Sequence, residues 1–166
     1  MKCWYLIHTK PQRENLAMEN LERQGYEAYL PLALIRRRRR GRAYSEPGPM
    51  FPRYLFIHLG AGVDDWGPIR STLGVSNLVR FGQVPARVPD DLIHALKNKE
   101  DADGIQVLPS NILKKGEKIR IAEGPFEGYE GLFEAQTGRD RVVILLKILE
   151  KQAQLEIQRD KIEAVF

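Results

Sequence analysis

Cysteine is almost missing from this chain. Among 166 residues only Cys3 carries a thiol, so no internal disulfide can form and a disulfide-stapled fold is excluded. The expected setting is reducing and cytoplasmic. Long apolar runs are missing as well. The longest aliphatic stretch is Val142-Val143-Ile144-Leu145-Leu146, far short of the roughly 20 residues that cross a bilayer. No membrane partner is expected. The start, Met1-Lys2-Cys3-Trp4-Tyr5, has neither the apolar segment nor the small-residue cleavage site of a signal peptide. Metal-ligating residues are scarce and scattered: Cys3, His8, His58 and His94 never reach zinc-ligand spacing. No phosphate loop occurs, no dinucleotide fingerprint, and no G-x-S-x-G elbow. Asp90-Asp91 is better explained as the acidic start of a helix than as a carboxylate pair. No cofactor, metal or catalytic residue is expected, and an enzyme is the least supported class.

What is present is ordinary globular material with uneven charge. A hydrophobic fraction of 43% with 29% charged residues is enough to bury a core, which excludes a disordered chain. The net charge of +4 hides an asymmetry. Residues 1–100 hold 16 Lys/Arg against 10 Asp/Glu, and residues 101–166 hold 10 against 12. The first part leans toward an anionic partner such as nucleic acid, and the second does not.

Residues 2–9 are aromatic and β-branched and read as a strand. With Pro11 in its first turn, a helix is expected over residues 12–24, stopped by Gly25. A short strand follows at 26–30. The Arg36–Arg40 run reads as a solvated hairpin or loop able to reach duplex phosphates. Residues 53–59 form the best strand of this half. Short elements are expected at 65–72 (helix) and 78–81 (strand), and a helix from Val88-Pro89-Asp90-Asp91 to about residue 99. The order suits an α+β fold, an antiparallel sheet with helices on one face. The polar stretch 101–113, with Gly104 and Pro109, reads as a linker.

From residue 114 short apolar runs alternate with glycine-bearing turns, at 118–122, 131–135, 141–149 and 153–158. That texture predicts a small five-stranded barrel. Residues 141–157 allow a second reading. Leu145, Ile148, Leu149, Gln152 and Leu155 share a helical face, while Val142, Ile144 and Leu146 alternate as in a strand. Both readings stay open.

The turn Gly124-Pro125-Phe126-Glu127-Gly128-Tyr129-Glu130-Gly131, after the strand Lys118-Ile119-Arg120-Ile121, resembles the KOW motif of ribosomal and transcription proteins. Its turn positions would be Gly124, Phe126, Gly128 and Gly131. In the first half, Trp4-Tyr5, Glu46-Pro47, Phe51-Pro52-Arg53-Tyr54-Leu55-Phe56, Gly74-Val75, Phe81-Gly82 and Val88-Pro89 resemble, in order and spacing, the N-terminal domain of the NusG family. Ser45-Glu46-Pro47 and Gly74-Val75-Ser76 resemble its operon-specific RfaH branch more closely. The resemblance implies a NusG-like N-terminal domain over 1–100, a linker over 101–113 and a KOW-like domain over 114–166. That last domain would be a five-stranded KOW β-barrel or, alternatively, an α-helical hairpin, with switching between the two.

The resemblance further implies a monomeric transcription antitermination factor that suppresses pausing and termination. RNA polymerase would bind at Trp4, His8, Pro52, Tyr54 and Phe56. The non-template single-stranded DNA would bind at Lys10, Asn20, Arg23, Gln24, Arg70, Ser71 and Thr72. A ribosomal protein is the implied partner of the C-terminal domain. Ile144, Leu145, Ile148 and Leu149 would cover the polymerase site in a closed form. Two places depart from the RfaH pattern: Leu73 stands where an arginine is expected, and Asp65-Trp66-Gly67 where a His-Thr-Thr contact is expected. A general NusG elongation factor and a ribosome-associated KOW RNA-binding protein are the alternatives. Tyr54 and Phe56, two apart on one strand face, equally suit a core strand.

Overall fold

A computed structural model of the chain describes residues 2–108 and 129–165. Its centre is a pair of strands too apolar to leave either side wet. In β1 (Lys2–Thr9), neighbouring Leu6 and Ile7 are both fully buried. In β5 (Tyr54–Gly60) the same holds for Leu55, Phe56 and Ile57. Successive side chains point to opposite faces of a sheet, so both faces must be covered. The two strands run antiparallel, with Leu6 opposite Phe56, Ile7 opposite Leu55 and His8 opposite Tyr54. β2 (Glu27–Tyr29) flanks β5, and β6 (Val75–Leu78) flanks β1, giving the order β2-β5-β1-β6. The short β9 (Arg87–Val88) pairs with β1 at Trp4 and Tyr5.

Helices therefore lie on both faces, not on one as the element order suggested. α1 (Glu14–Arg23) sets Ala17 and Leu21 against Ile7, Leu55, Ile57 and Leu59. The opposite face carries Trp4, Leu6 and Phe56. It is covered by α2 (Asp90–Asn98), α3 (Glu130–Glu134) and α4 (Gly138–Val165). α1 starts two residues later than expected, because Gln12 has a φ of 60° that no helix accommodates. In place of a helix over 65–72 there is one 3-10 turn, Gly67–Ile69. The Ser71 and Thr72 hydroxyls donate back to the Pro68 carbonyl at 3.1 and 2.9 Å and end it there. The expected strand at 78–81 is divided between β6 and a small hairpin of β7 (Arg80–Phe81) and β8 (Val84–Pro85).

β3 (Leu32–Arg39) and β4 (Arg42–Pro49) form a separate two-stranded ribbon carrying the arginine run. Of the stretch read as linker, only 101–108 is described. It folds back on the first layer: the Gln106 amide donates to the Leu96 carbonyl at 2.6 Å, and Leu108 is buried.

Of the segments read as barrel strands, 118–122 lies outside the described residues, and 131–134, 141–149 and 153–158 are helical here; the helical alternative is the one seen. The reason is the sheet face beneath them. Arg141, Leu145 and Leu149, four apart, make one buried stripe on α4. Leu132, Phe133, Leu145 and Leu149 are all at most 1% exposed, and burying such a side chain stabilises by about 1.5–3 kcal/mol. Gly131, read as a barrel turn, sits in α3 with Ile144 Cδ1 3.7 Å from where its Cβ would be. Gly124, Phe126 and Gly128 lie outside the described residues.

Candidate functional site

The covered sheet face is lined with rings. Trp4 stacks on His58 with centroids 4.6 Å apart, His8 tilts against Tyr54 at 4.9 Å, and Phe51 meets Phe56 edge-on at 5.8 Å. Trp4 and Phe56 are buried, Tyr54 and His8 half-buried, and Pro52 exposed. Burial, with the Arg53 cation close by, lowers the His8 pKa and favours the neutral ring. Thus Trp4, His8, Tyr54 and Phe56 share one sheet face, with Pro52 in the loop before β5, but the middle of that face is shut beneath α3 and α4. Leu145 and Leu149 belong to the same apolar cluster as Trp4 and Phe56, with Ile144 and Ile148 packed against its edge.

Four further contacts hold the cover, and none was foreseen. Arg141 is only 3% exposed. Its Nε donates to the Met50 carbonyl at 2.8 Å and its Nη1 to the Ala135 carbonyl at 3.1 Å, tying the loop before β5 to the end of α3. Burial depresses its pKa, yet a guanidinium stays charged at neutral pH. Gly138 is pressed on Pro52: a Cβ there would stand 2.6 Å from Pro52 Cγ. Lys99 Nζ lies 4.9 Å from the centre of the Phe133 ring. The Tyr129 hydroxyl donates to Asp91 Oδ1 at 2.7 Å. In the sequence Tyr129 stands only as part of the KOW-like glycine-rich turn, which gives no sign of a bond to Asp91.

Burial first, and the bond to Asp91 second, push the Tyr129 phenol above its usual range. A phenol with a raised folded-state pKa contributes stability that is complete below its unfolded value of about 10. That stability is lost as pH climbs toward the folded value. Thermal melts at pH 8 and pH 10.5 should show this loss. Tyr129→Phe should cost about 1 kcal/mol at pH 8 and make the alkaline decline shallower. An unchanged decline would remove Tyr129 from the latch.

A second surface lies at the C-terminal end of α1. Gln24 Nε2 donates to Thr72 Oγ1 at 2.8 Å and to the Asn20 carbonyl at 2.9 Å, joining helix to loop. Arg23 Nη1 reaches Asn20 Oδ1 at 3.3 Å. The Lys10 amide donates to the Gly74 carbonyl at 2.9 Å, which ties the end of β1 to this loop. Gly74, at φ 92°, permits the approach: a Cβ there would be 2.9 Å from the Ala17 nitrogen. Of the seven expected DNA-contacting residues, Lys10, Arg23, Gln24, Arg70 and Ser71 are exposed, Asn20 is half-buried and Thr72 is buried. Thr72 supports Gln24 from below.

The two departures from the RfaH pattern have separate fates. Leu73 is 64% exposed beside this edge. Asp65-Trp66-Gly67 is occupied with its own loop. Trp66 packs edge-on against Tyr5 at 4.9 Å, Asp65 Oδ1 accepts from the Gly67 amide at 2.9 Å, and the Asp65 carbonyl accepts the Tyr26 hydroxyl.

The two surfaces on this chain are thus a ring-lined sheet face under a helical cover and a polar, cationic edge at the end of α1. The family model described as transcription termination factor nusG matches residues 2–97. The transcription termination/antitermination protein NusG of Rickettsia prowazekii is 21% identical, over 98% of this chain and 90% of its own length. The Pseudomonas aeruginosa protein of the same name is 21% identical over 99% of each, and that of Escherichia coli K12 22% over 98% and 96%. A solved chain of Thermotoga maritima NusG aligns over 76% of each chain at 22% identity with a TM-score of 0.46. The chain belongs to the NusG family of transcription termination/antitermination factors.

Proposed function

We propose that this chain is an operon-specific, RfaH-like member of the family, held closed until it meets its DNA signal. In this reading Trp4, His8, Pro52, Tyr54 and Phe56 form the RNA polymerase surface. Lys10, Asn20, Arg23, Gln24, Arg70 and Ser71 engage the non-template single strand, and the buried Thr72 holds Gln24 in place. Lys and Arg neutralise phosphates, and the Gln24 and Asn20 amides meet a splayed base. The domain over 114–166 leaves the sheet on release, refolds as a KOW barrel and meets a ribosomal protein. The observation that carries the reading is the burial of Phe56 under α4. A general factor would gain nothing from hiding its polymerase face, whereas a specialised one gains selectivity by it.

The test is crosslinking of the full-length chain to a panel of single-stranded DNA 12-mers at matched salt. One sequence is expected to crosslink at least about tenfold better than the rest, a difference of about 1.4 kcal/mol. Gln24→Ala with Arg70→Ala should abolish the preference. Equal crosslinking to every sequence would leave a general elongation factor as the better reading.

A further inference from the structure

The β3–β4 ribbon carries a charge pattern that neither the sheet nor the polar edge explains. Every residue from 36 to 45 is exposed, so the distal ribbon stands clear of both apolar clusters. Its register is fixed: Arg36 opposite Ser45, Arg37 opposite Tyr44, Arg38 opposite Ala43, and Arg39 opposite Arg42. Alternation then sorts the cations. Arg36 and Arg38 lie on one face, across from the small Ser45 and Ala43. Arg37, Arg39 and Arg42 lie on the other. Arg37 is paired with Glu46. Arg36, Arg38, Arg39, Arg40 and Arg42 have no ion pair and no side-chain hydrogen bond among the described residues.

The turn adds a second observation. Arg40 and Gly41 have φ of 54° and 76°, the pair of positive values that joins strands through a two-residue turn. Asn, Asp or Gly is the comfortable residue at the first of these positions, and a long side chain there costs about 1 kcal/mol. The tip accepts that strain and places a fifth consecutive cation at the point farthest along the arm.

We propose that this ribbon is a duplex-DNA arm that enters the major groove and contacts phosphates on both walls. Two strands about 4.8 Å apart fit a groove about 12 Å wide, which admits a two-stranded ribbon. Guanidinium groups on both faces suit two phosphate walls at once, which a single strand does not offer. The deep, narrow major groove of an RNA helix excludes the ribbon. Small residues opposite Arg36 and Arg38 leave room for a phosphate against each guanidinium. The contact is independent of sequence and separate from the single-strand edge near α1.

The experiment is the salt dependence of binding to a mixed-sequence 24-bp DNA duplex, for the full-length chain and three variants. Arg36→Gln, Arg38→Gln, Arg39→Gln and Arg40→Gln together should lower the slope of log K against log salt by about 3–4, at about 0.9 per phosphate. Lys10→Gln, Arg23→Gln and Arg70→Gln together should leave the duplex slope within about 1 of wild type. Arg40→Asn alone should bind duplex more weakly while melting no lower than wild type, which separates charge from folding. The proposal is overturned if the hairpin variant keeps the wild-type slope. It is also overturned if its loss is equal on single-stranded DNA of the same length, or if an RNA duplex binds as tightly as DNA.

Discussion

Arg141→Ala is expected to raise the affinity of the full-length chain for RNA polymerase about 10- to 100-fold. Arg141 is the one buried arginine among the described residues, and its two bonds go to carbonyls, not to a carboxylate. Removing it leaves the carbonyl of the fully buried Met50 without its donor, while the part-buried Ala135 carbonyl loses one bond. A buried orphan such as the Met50 oxygen costs about 1–3 kcal/mol. The cost falls on the closed state, because in an open state both carbonyls meet water. A ligand that binds only the open form has an apparent affinity scaled by the open fraction. Destabilising the closed form by about 1.4–2.8 kcal/mol therefore gives 10- to 100-fold. Arg141→Lys should fall between, since a single ammonium cannot span both carbonyls as the planar fork does. Pulldown of polymerase at fixed salt measures the ratio. A fall in binding for Arg141→Ala would mean that α4 assists the polymerase contact and does not block it.

Phe133→Ala should have the largest effect on stability. The ring is 1% exposed and sits among Leu132, Leu145 and the sheet face, with Lys99 above it. Phenylalanine-to-alanine changes in such sites cost about 3–5 kcal/mol, enough to undock a helical pair held by a few side chains. The opposite face should survive, because Ile7, Leu55, Ile57, Ala17 and Leu21 form a separate cluster that does not include Phe133. Native-state hydrogen exchange should thus show the amides of residues 145–149 losing protection while those of Ile7 and Ile57 keep theirs. Uniform loss along the chain would show one cooperative unit with no separable cover.

The sheet was legible because its residues admit a single period. Residues 53–59 and 2–9 read as strands and are strands. The arginine run read as a hairpin or loop and is a hairpin, and Asp90-Asp91 after Pro89 pointed to a helix start. The covering helices were legible only as one of two options. Val142, Ile144 and Leu146 satisfy a strand and Leu145 and Leu149 a helix, so the choice rests on whether a sheet face is there to receive them. Tertiary contacts of this kind override local preference. Arg141 left no trace at all, since its partner, the Met50 carbonyl, is 91 residues away and any residue supplies a carbonyl. The opposite happened at Thr72, where a hydroxyl read as a DNA contact is buried beneath Gln24.

Closure of the cover over the aromatic face can be tested at one contact. Pro52 and Gly138 already touch, and cysteines at both positions in a Cys3→Ser background would join loop and helix through a disulfide. With the bond formed, the chain should fail to bind RNA polymerase, and reduction should restore binding to the level of the unlinked chain. Equal binding in the oxidised and reduced forms would contradict the account, because the rings beneath α4 could then not be the polymerase surface.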